Sequence, residues 1–288
     1  MKYTFFRKRV LPLSWEYATQ GQLWRLIPSS DGYFVGEDRQ TDSKQVSFFC
    51  INQITGKVLW DKLCFNEQWW ISIETTYRDV IFLHEFSTPD LPEHKKIYAI
   101  HRDNGKLLWM NDVMTYRFAF DNKVIASKDS FDQRLFFEFD LYSGEIVGEA
   151  DSSNMTKIQG AQLPNVDEIV EFPKVFESSN DDNVYVVQCI DKALNKAGRI
   201  DNIEYLEKGN SLVVGYSKML NGVSSEPSLQ QDIMIMNKNT SRITYQDTIS
   251  AQSKVSVPET FFRIGDIVYY VKDKRRLRAV NILDESHR

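Results

Sequence analysis

Apolar and polar residues alternate with a period of two in short runs along the chain: QLWRLIP (Gln22 to Pro28), YFVGED (Tyr33 to Asp38), WWISIET (Trp69 to Thr75) and VIFLHEF (Val80 to Phe86). That period belongs to β-strands, whose side chains point to opposite faces in turn. Behind these runs come two near copies, INQITGKVLW (Ile51 to Trp60) and IHRDNGKLLW (Ile100 to Trp109). Each reads as an apolar strand, a Gly turn and a strand ending in Trp, which is a hairpin. Fainter copies, FDLYSGEIVG (Phe139 to Gly148) and MNKNTSRITY (Met236 to Tyr245), put Gly144 and Ser241 where Gly56 and Gly105 stand.

Two strands followed by a hairpin make a four-stranded meander, and its repetition predicts a β-propeller. Blade one is expected from about Gln22 to Leu63, blade two from Gln68 to Val113, blade three from Thr115 to Ala150 and blade four from Asn202 to Ile249. The last unit, from Phe261 to Leu283, lacks an outermost strand. The segment Val10 to Ala18 has no hairpin partner of its own, and Trp15 precedes Trp60 by one repeat period. This N-terminal strand is therefore expected to close the last blade and cover its edge. The expectation is one all-β domain over residues 1–288, a propeller of five four-stranded antiparallel blades.

Blades three and four are spaced at twice the usual interval. Within Asp151 to Asp201, the run Asn183 to Ala197 has Val187, Ile190 and Leu194 at helical spacing, Asp181 and Asp182 as caps, and Gly198 as a stop. A helical insertion is expected there; the alternative is a degenerate sixth blade.

The net charge of −5 gives nucleic-acid binding no electrostatic support. The basic run Lys272 to Arg278 is expected at a hairpin tip. The N-terminal residues lack the continuous apolar stretch of a signal peptide, and no window reaches membrane-spanning length. Cys50, Cys64 and Cys189, odd in number and unpatterned, are expected as buried free thiols in a reducing compartment, so the expected location is cytoplasmic.

The Thr-Gly and Asn-Gly turns followed by Lys-Val-Leu-Trp and Lys-Leu-Leu-Trp resemble the quinoprotein-like propeller repeat of quinone-dependent dehydrogenases. The resemblance implies that Gly56, Trp60, Gly105, Trp109 and, more weakly, Gly144 are structural residues that dock neighbouring blades. The chain departs from those enzymes in length, in lacking their adjacent cysteine pair and in lacking a calcium-ligand constellation, so no quinone or other cofactor is expected. The stretches EFPKVFE (Glu171 to Glu177) and IEYLE (Ile203 to Glu207) are also similar to a small bacterial propeller family of unknown function.

Long connections, Arg39 to Gln45, His84 to Lys96, Met219 to Gln231 and the insertion, are expected on one rim, where binding residues concentrate. That rim is the expected contact for an unknown protein or small ligand. Its binding candidates are Trp69, Trp70, His84, Glu85, His94, Glu171 and Glu177. Asp90 and Glu93 share the His84–His94 segment, but its spacing matches no metal motif, and no metal is expected. PKVF, the helix and the loop Leu220 to Leu229 could form a partner groove; equally, the helix could bury its apolar stripe in its own domain. The expected function is a non-enzymatic binding or scaffolding module. The alternative is a carbohydrate hydrolase, with Glu74 and Glu204 on the first strands of their blades as weak catalytic candidates.

Overall fold

In a computed structural model that describes residues 11–88, 91–131, 133–150, 169–176, 184–194, 200–220 and 228–283, the strands of these described residues form five antiparallel sheets. A lone N-terminal strand, β1 (Trp15–Ala18), precedes the first sheet: β2 (Gln22–Pro28), β3 (Tyr33–Gln40), β4 (Gln45–Asn52) and β5 (Val58–Leu63). The second sheet is β6 (Ile71–Tyr77), β7 (Val80–Thr88), β8 (Leu91–His101) and β9 (Leu107–Asn111). The third is β10 (Thr115–Phe120), β11 (Lys123–Asp129), β12 (Arg134–Asp140) and β13 (Ile146–Glu149). Next come β14 (Lys174–Val175), helix α1 (Val184–Leu194), β15 (Ile200–Lys208), β16 (Ser211–Leu220), β17 (Ser228–Asn237) and β18 (Arg242–Ser253), of which the five strands form one sheet. Finally β19 (Phe261–Ile264), β20 (Ile267–Lys272) and β21 (Arg276–Asn281) are joined by β1. The chain divides into two compact units, Thr19–Val166 with the first three sheets, and Met1–Ala18 with Asp167–Arg288, which holds the other two.

In the first unit, alternate residues of the second sheet are buried on both faces. Ile71, Ile73, Ile81 and Leu83 pack on Val35, Val46, Phe48 and Cys50 of the first sheet, while Val80, Phe82, Ile97 and Ala99 pack on Tyr116, Val124, Ala126 and Phe139 of the third. A strand apolar on both sides is the solution for a sheet sandwiched between two others. In the second unit, Val213, Ile233 and Ile235 face Phe261, Val268, Tyr270 and Val280 of the last sheet. The opposite face of that fourth sheet, through Tyr205, Leu212, Val214, Tyr216, Met234 and Met236, is covered by α1.

One hydrogen bond recurs in every sheet. The amides of Gln53, Arg102, Leu141, Lys238 and Ile282 donate to the carbonyls of Gly32, Asp79, Asn122, Asn210 and Asp266, all at 2.8–2.9 Å. It ties the end of β4, β8, β12, β17 or β21 to the turn between the two strands just before it in the chain, and it places the last sheet in register with the other four. One residue earlier, Asn52, His101, Asp140 and Asn237 use their side chains to accept amides within the following turn. Short polar side chains that bond their own backbone favour such turns. Gly56, Gly105 and Gly144 then take φ of 67°, 68° and 70°, as does Ser241 at 51°.

The Trp residues dock one sheet on the next. The Trp60 indole donates to the Arg102 carbonyl beneath the turn of Gly105, and Trp109 Nε1 donates to the Leu141 carbonyl at 2.9 Å beneath the turn of Gly144. A Cβ on Gly105 would lie 3.0 Å from the Trp60 ring, and one on Gly144 would lie 2.5 Å from that of Trp109. Glycine is thus favoured by φ at both turns, and at Gly144 also by space, whereas at Gly105 the Trp60 ring would have to give only slightly. Ser241 departs from this pattern at the position where the preceding repeat carries Gly148 instead of Trp.

A second repeated device, a β-bulge, was invisible to the alternation pattern. Registers shift by one residue between Leu23 and Arg25, Ile73 and Thr75, Tyr116 and Phe118, and Asp201 and Ile203, leaving Trp24, Glu74, Arg117 and Asn202 unpaired in the first long strand of four sheets. A bulge re-aims its extra side chain out of the normal alternation.

The N-terminal strand pairs as expected with the last unit, Trp15 opposite Ala279 and Ala18 opposite Arg276. The Trp15 ring lies 5.9 Å from that of Tyr269. Around this joint the basic run is spent on ion pairs: Lys272 and Arg278 with Asp247, Arg278 also with Glu16, and Arg276 with Asp273. Burial alone would raise the Asp247 carboxyl, but Lys272, Tyr270 and Arg278 more than offset it and hold it below the ordinary range. Asp247 therefore stabilises the fold above its unfolded value of about 3.9, and that contribution is lost as pH falls through its lower folded value. Asp247→Asn is expected to cost about 1–3 kcal/mol at pH 7, the range for a hydrogen bond to a charged group. It should also flatten the loss of stability below about pH 4, as read from urea unfolding at a series of pH values.

Several sequence expectations need correction. The buried stripe of helix α1 is Val186, Cys189, Ile190 and Leu194, and Val187 is only half-buried. His84 to Lys96 is mostly strand, because β7 continues to Thr88 and β8 begins at Leu91, and Arg39 to Gln45 narrows to a four-residue turn between β3, which ends at Gln40, and β4, which begins at Gln45. Polar residues there broke the apolar pattern without breaking the ladder. Cys64 is exposed, whereas Cys50 and Cys189 are buried. Burial pushes the Cys50 thiol up to about 12, so it is inert at neutral pH. The N-terminal ten residues and most of the expected insertion, including Glu177, lie outside the described residues, as does Asp90. No helix among the described residues is long and apolar enough to cross a membrane.

Candidate functional site

Three adjacent strands of the second sheet each deliver one side chain to a common point. The bulge in β6 supplies Glu74, β7 supplies His84, and β8 supplies His94. His94 lies across the ladder from Phe86, two residues beyond His84, so the histidines are diagonal neighbours within reach of one another. Their imidazoles stack with centroids 3.5 Å apart and planes 9° from parallel. The Phe86 ring presents itself edge-on to both, at 5.0 and 5.6 Å.

Both Nδ1 atoms converge on Glu74 Oε2, each at 2.7 Å. His94 shares a hydrogen bond with that oxygen. His84 does not: its approach lacks the alignment of a hydrogen bond, and neither of its ring nitrogens has a partner, although the side chain is only 1% exposed. Burial would raise the Glu74 carboxyl, but the two imidazoles more than offset this and keep it below the ordinary glutamate value. Burial and then the neighbouring His84 lower the His94 imidazole, against the pull of Glu74. Burial, reinforced by Glu74, raises the Tyr116 phenol.

Beside this cluster lies an aromatic surface. Glu67 Oε1 accepts the amides of Trp69 and Trp70 at 3.0 and 2.8 Å, fixing the turn that leads into β6. Trp69 is half-buried and Trp70 is 39% exposed, its ring 6.5 Å from Phe86 and so one ring removed from the histidines. Both precede the strand they were expected to open. Trp24, on the β2 bulge, is 61% exposed. The Arg39 guanidinium lies 5.9 Å from the Trp24 ring and 5.2 Å from that of Trp69, within cation–π reach of both.

Arg39 is itself held from below. It donates to Glu37 Oε2 at 2.9 Å and to the carbonyls of Trp69 and Ile71 at 2.9 and 2.8 Å. Glu37, fully buried, also accepts from the Ser72 hydroxyl and the Ile73 amide. This polar clamp joins β3 of the first sheet to β6 of the second and fixes the base of the surface.

The other sequence candidates do not join the cluster. Glu85 is buried and occupied by the Tyr98 hydroxyl and Lys96. Glu93 is exposed. Glu204 is buried with both oxygens engaged, accepting from the Glu259 and Thr260 amides at 2.7 and 2.8 Å and from the Thr260 hydroxyl. It anchors the chain ahead of β19. Glu171 pairs with Arg263 through a β-bridge and an ion pair. Lys174–Val175 adds a strand to the fourth sheet and Phe176 packs on Tyr205, while Ile190, Asp191 and Leu194 of α1 line a cavity of about 400 Å³ with Ile200 and Ile203.

Residues 27–109 match a family model described as a domain of unknown function, DUF4905. The matched segment contains Trp69, Trp70, Glu74, His84 and His94. Among solved structures the chain is similar to BamB from Moraxella catarrhalis, at 9% identity over 97% of this chain and 99% of that chain, with a TM-score of 0.30. It is similar to an uncharacterized protein from Listeria monocytogenes EGD-e, at 8% identity over 94% and 97% of the two chains, TM-score 0.34. It is also similar to the β-propeller domain of Cps50 (Swd1) from Myceliophteria thermophila, at 13% identity over 92% and 71%, TM-score 0.27. No curated protein matches the chain.

Proposed function

We propose that the chain is a non-enzymatic binding or scaffolding module. In this reading the five sheets are the blades of one five-bladed propeller with a quinoprotein-like repeat, α1 belongs to an insertion between blades three and four, and β1 completes the last blade. Five copies of one hydrogen bond and the pairing of β1 with β21 support the blade count. Ligand contact is assigned to Trp24, Trp69 and Trp70, with the buried Arg39 guanidinium within cation–π reach of Trp24 and Trp69. The observation that carries this assignment is the exposure of Trp24 and Trp70, with Trp24 and the half-buried Trp69 both within cation–π reach of an arginine locked by Glu37. A rigid aromatic surface suits stacking on a sugar ring or on a peptide side chain, at little conformational cost.

The hydrolase alternative has no observation in its favour: the Glu204 oxygens are fully engaged, and Glu74 faces two imidazoles instead of an open cleft. The test is tryptophan-fluorescence titration with a panel of defined oligosaccharides and a panel of aromatic-containing peptides. A binder from either panel should lose at least roughly tenfold in affinity in Trp24→Ala and in Trp70→Ala, about 1.4 kcal/mol each, while both variants keep wild-type unfolding midpoints. Binding left unchanged by both substitutions, or no binder in either panel, would overturn the assignment.

A further inference from the structure

We infer that Glu74, His84 and His94 form a binding site for a first-row divalent transition metal, zinc foremost, with His84 Nδ1, His94 Nδ1 and a Glu74 carboxylate oxygen as ligands. The inference goes beyond the proposed ligand surface and does not depend on it.

Three observations carry it. The first is convergence: the ligand atoms lie within 4.8 Å of one another, and both Nδ1 atoms lie 2.7 Å from one carboxylate oxygen. Zinc bonds to nitrogen and oxygen run about 2.0–2.2 Å, which sets neighbouring donors roughly 3.3 Å apart on a tetrahedral ion. The present separations of 2.7 Å need to open by only about half an ångström. An ion seated between the nitrogens would take the position that Oε2 holds, and rotation of the carboxylate supplies the third bond.

The second observation is His84. A buried imidazole with both nitrogens unpaired loses the hydrogen bonds it had in water. Its Nδ1 lies 2.7 Å from Glu74 Oε2, and a cation bound between them gives that nitrogen the partner it lacks. The third is rigidity. Each ligand comes from a different strand of one sheet, Phe86 wedges against both rings, and the Thr115 hydroxyl donates to the His94 carbonyl at 3.1 Å. Sites built on strands hold their geometry better than sites on loops.

The donor set selects the class of metal. Two imidazoles and one carboxylate suit zinc and its first-row neighbours, whereas magnesium and calcium prefer oxygen donors. Three protein ligands leave a further position on the ion for water or a ligand group.

The experiment uses the full chain, stripped with a chelator and titrated with zinc against a chromophoric competitor, with cobalt(II) absorption as a second readout. Wild-type protein should bind one zinc ion per chain and show tetrahedral or five-coordinate cobalt bands. Glu74→Gln and His94→Ala should each weaken zinc binding by at least roughly tenfold. His84→Ala removes a buried side chain and could fail to fold, so the partly exposed His94 and the isosteric glutamine carry the test. Cys64→Ser and His101→Ala, outside the cluster, should bind zinc like wild type. Absence of stoichiometric binding, undiminished binding in both Glu74→Gln and His94→Ala, or loss of binding in the Cys64 or His101 variant would overturn the inference.

Discussion

Trp109→Ala is expected to lower stability by about 3–5 kcal/mol, the range for removing a buried large aromatic side chain. Trp109 is 8% exposed, stacks within 6.1 Å of Phe139 at 10° to its plane, and holds the Leu141 carbonyl. Its loss opens a cavity between the second and third sheets and leaves that carbonyl without the indole donor. Gly144→Ala should also destabilise, by about 1–2 kcal/mol from left-handed backbone strain alone, with the clash against the Trp109 ring added to that. The two changes should not sum. In the Trp109→Ala background the added methyl meets no indole, so the double variant should lie above the additive value by at least about 0.5 kcal/mol. Urea unfolding of the four proteins checks this; strict additivity would mean that the Gly turn and the Trp do not meet.

Glu37→Ala should cost about 3–5 kcal/mol, because it leaves the Arg39 guanidinium buried without its counter-charge and the Ser72 hydroxyl and Ile73 amide without their acceptor. Breaking such a pair is more damaging than replacing it whole. The double variant Glu37→Ala with Arg39→Met should therefore recover part of the loss, the methionine filling the space of the arginine stem. If Glu37→Ala proved as stable as wild type in urea, the clamp between the first two sheets would contribute nothing. In Arg39→Met alone, ligand binding to Trp24 and Trp70 should weaken if the guanidinium takes part in the aromatic surface.

The sheets were legible in the sequence because their devices are local. A short polar residue at a strand end, a glycine four residues on and a Trp after it specify the hairpin and its docking within ten residues, so even the faint copy at Asp140 and Gly144 could be aligned. The pairing of Trp15 with the far end of the chain was legible for a different reason: the last unit lacked one strand and the N-terminal strand lacked partners. The candidate site was not legible as a unit. Glu74, His84 and His94 were each noticed, but apart from one another, Glu74 as a possible acid and the histidines as loop residues. What joins them is the one-residue bulge in β6 together with the continuation of β7 and β8 as paired strands, and neither leaves a mark on the hydrophobic pattern. Trp24 was missed for the same reason: in alternation it reads as an ordinary strand residue, and the bulge exposes it. The helix was found, but its buried face was misassigned because Val186 and Cys189 pack on the fourth sheet where spacing alone favoured Val187.

The most direct test of the three-strand site on the second sheet is X-ray diffraction from zinc-loaded crystals at the zinc absorption edge. An anomalous peak about 2.0–2.2 Å from Glu74, His84 and His94 together is the expected result. A peak confined to Cys64 or His101, or no peak in protein that binds zinc in solution, would contradict it.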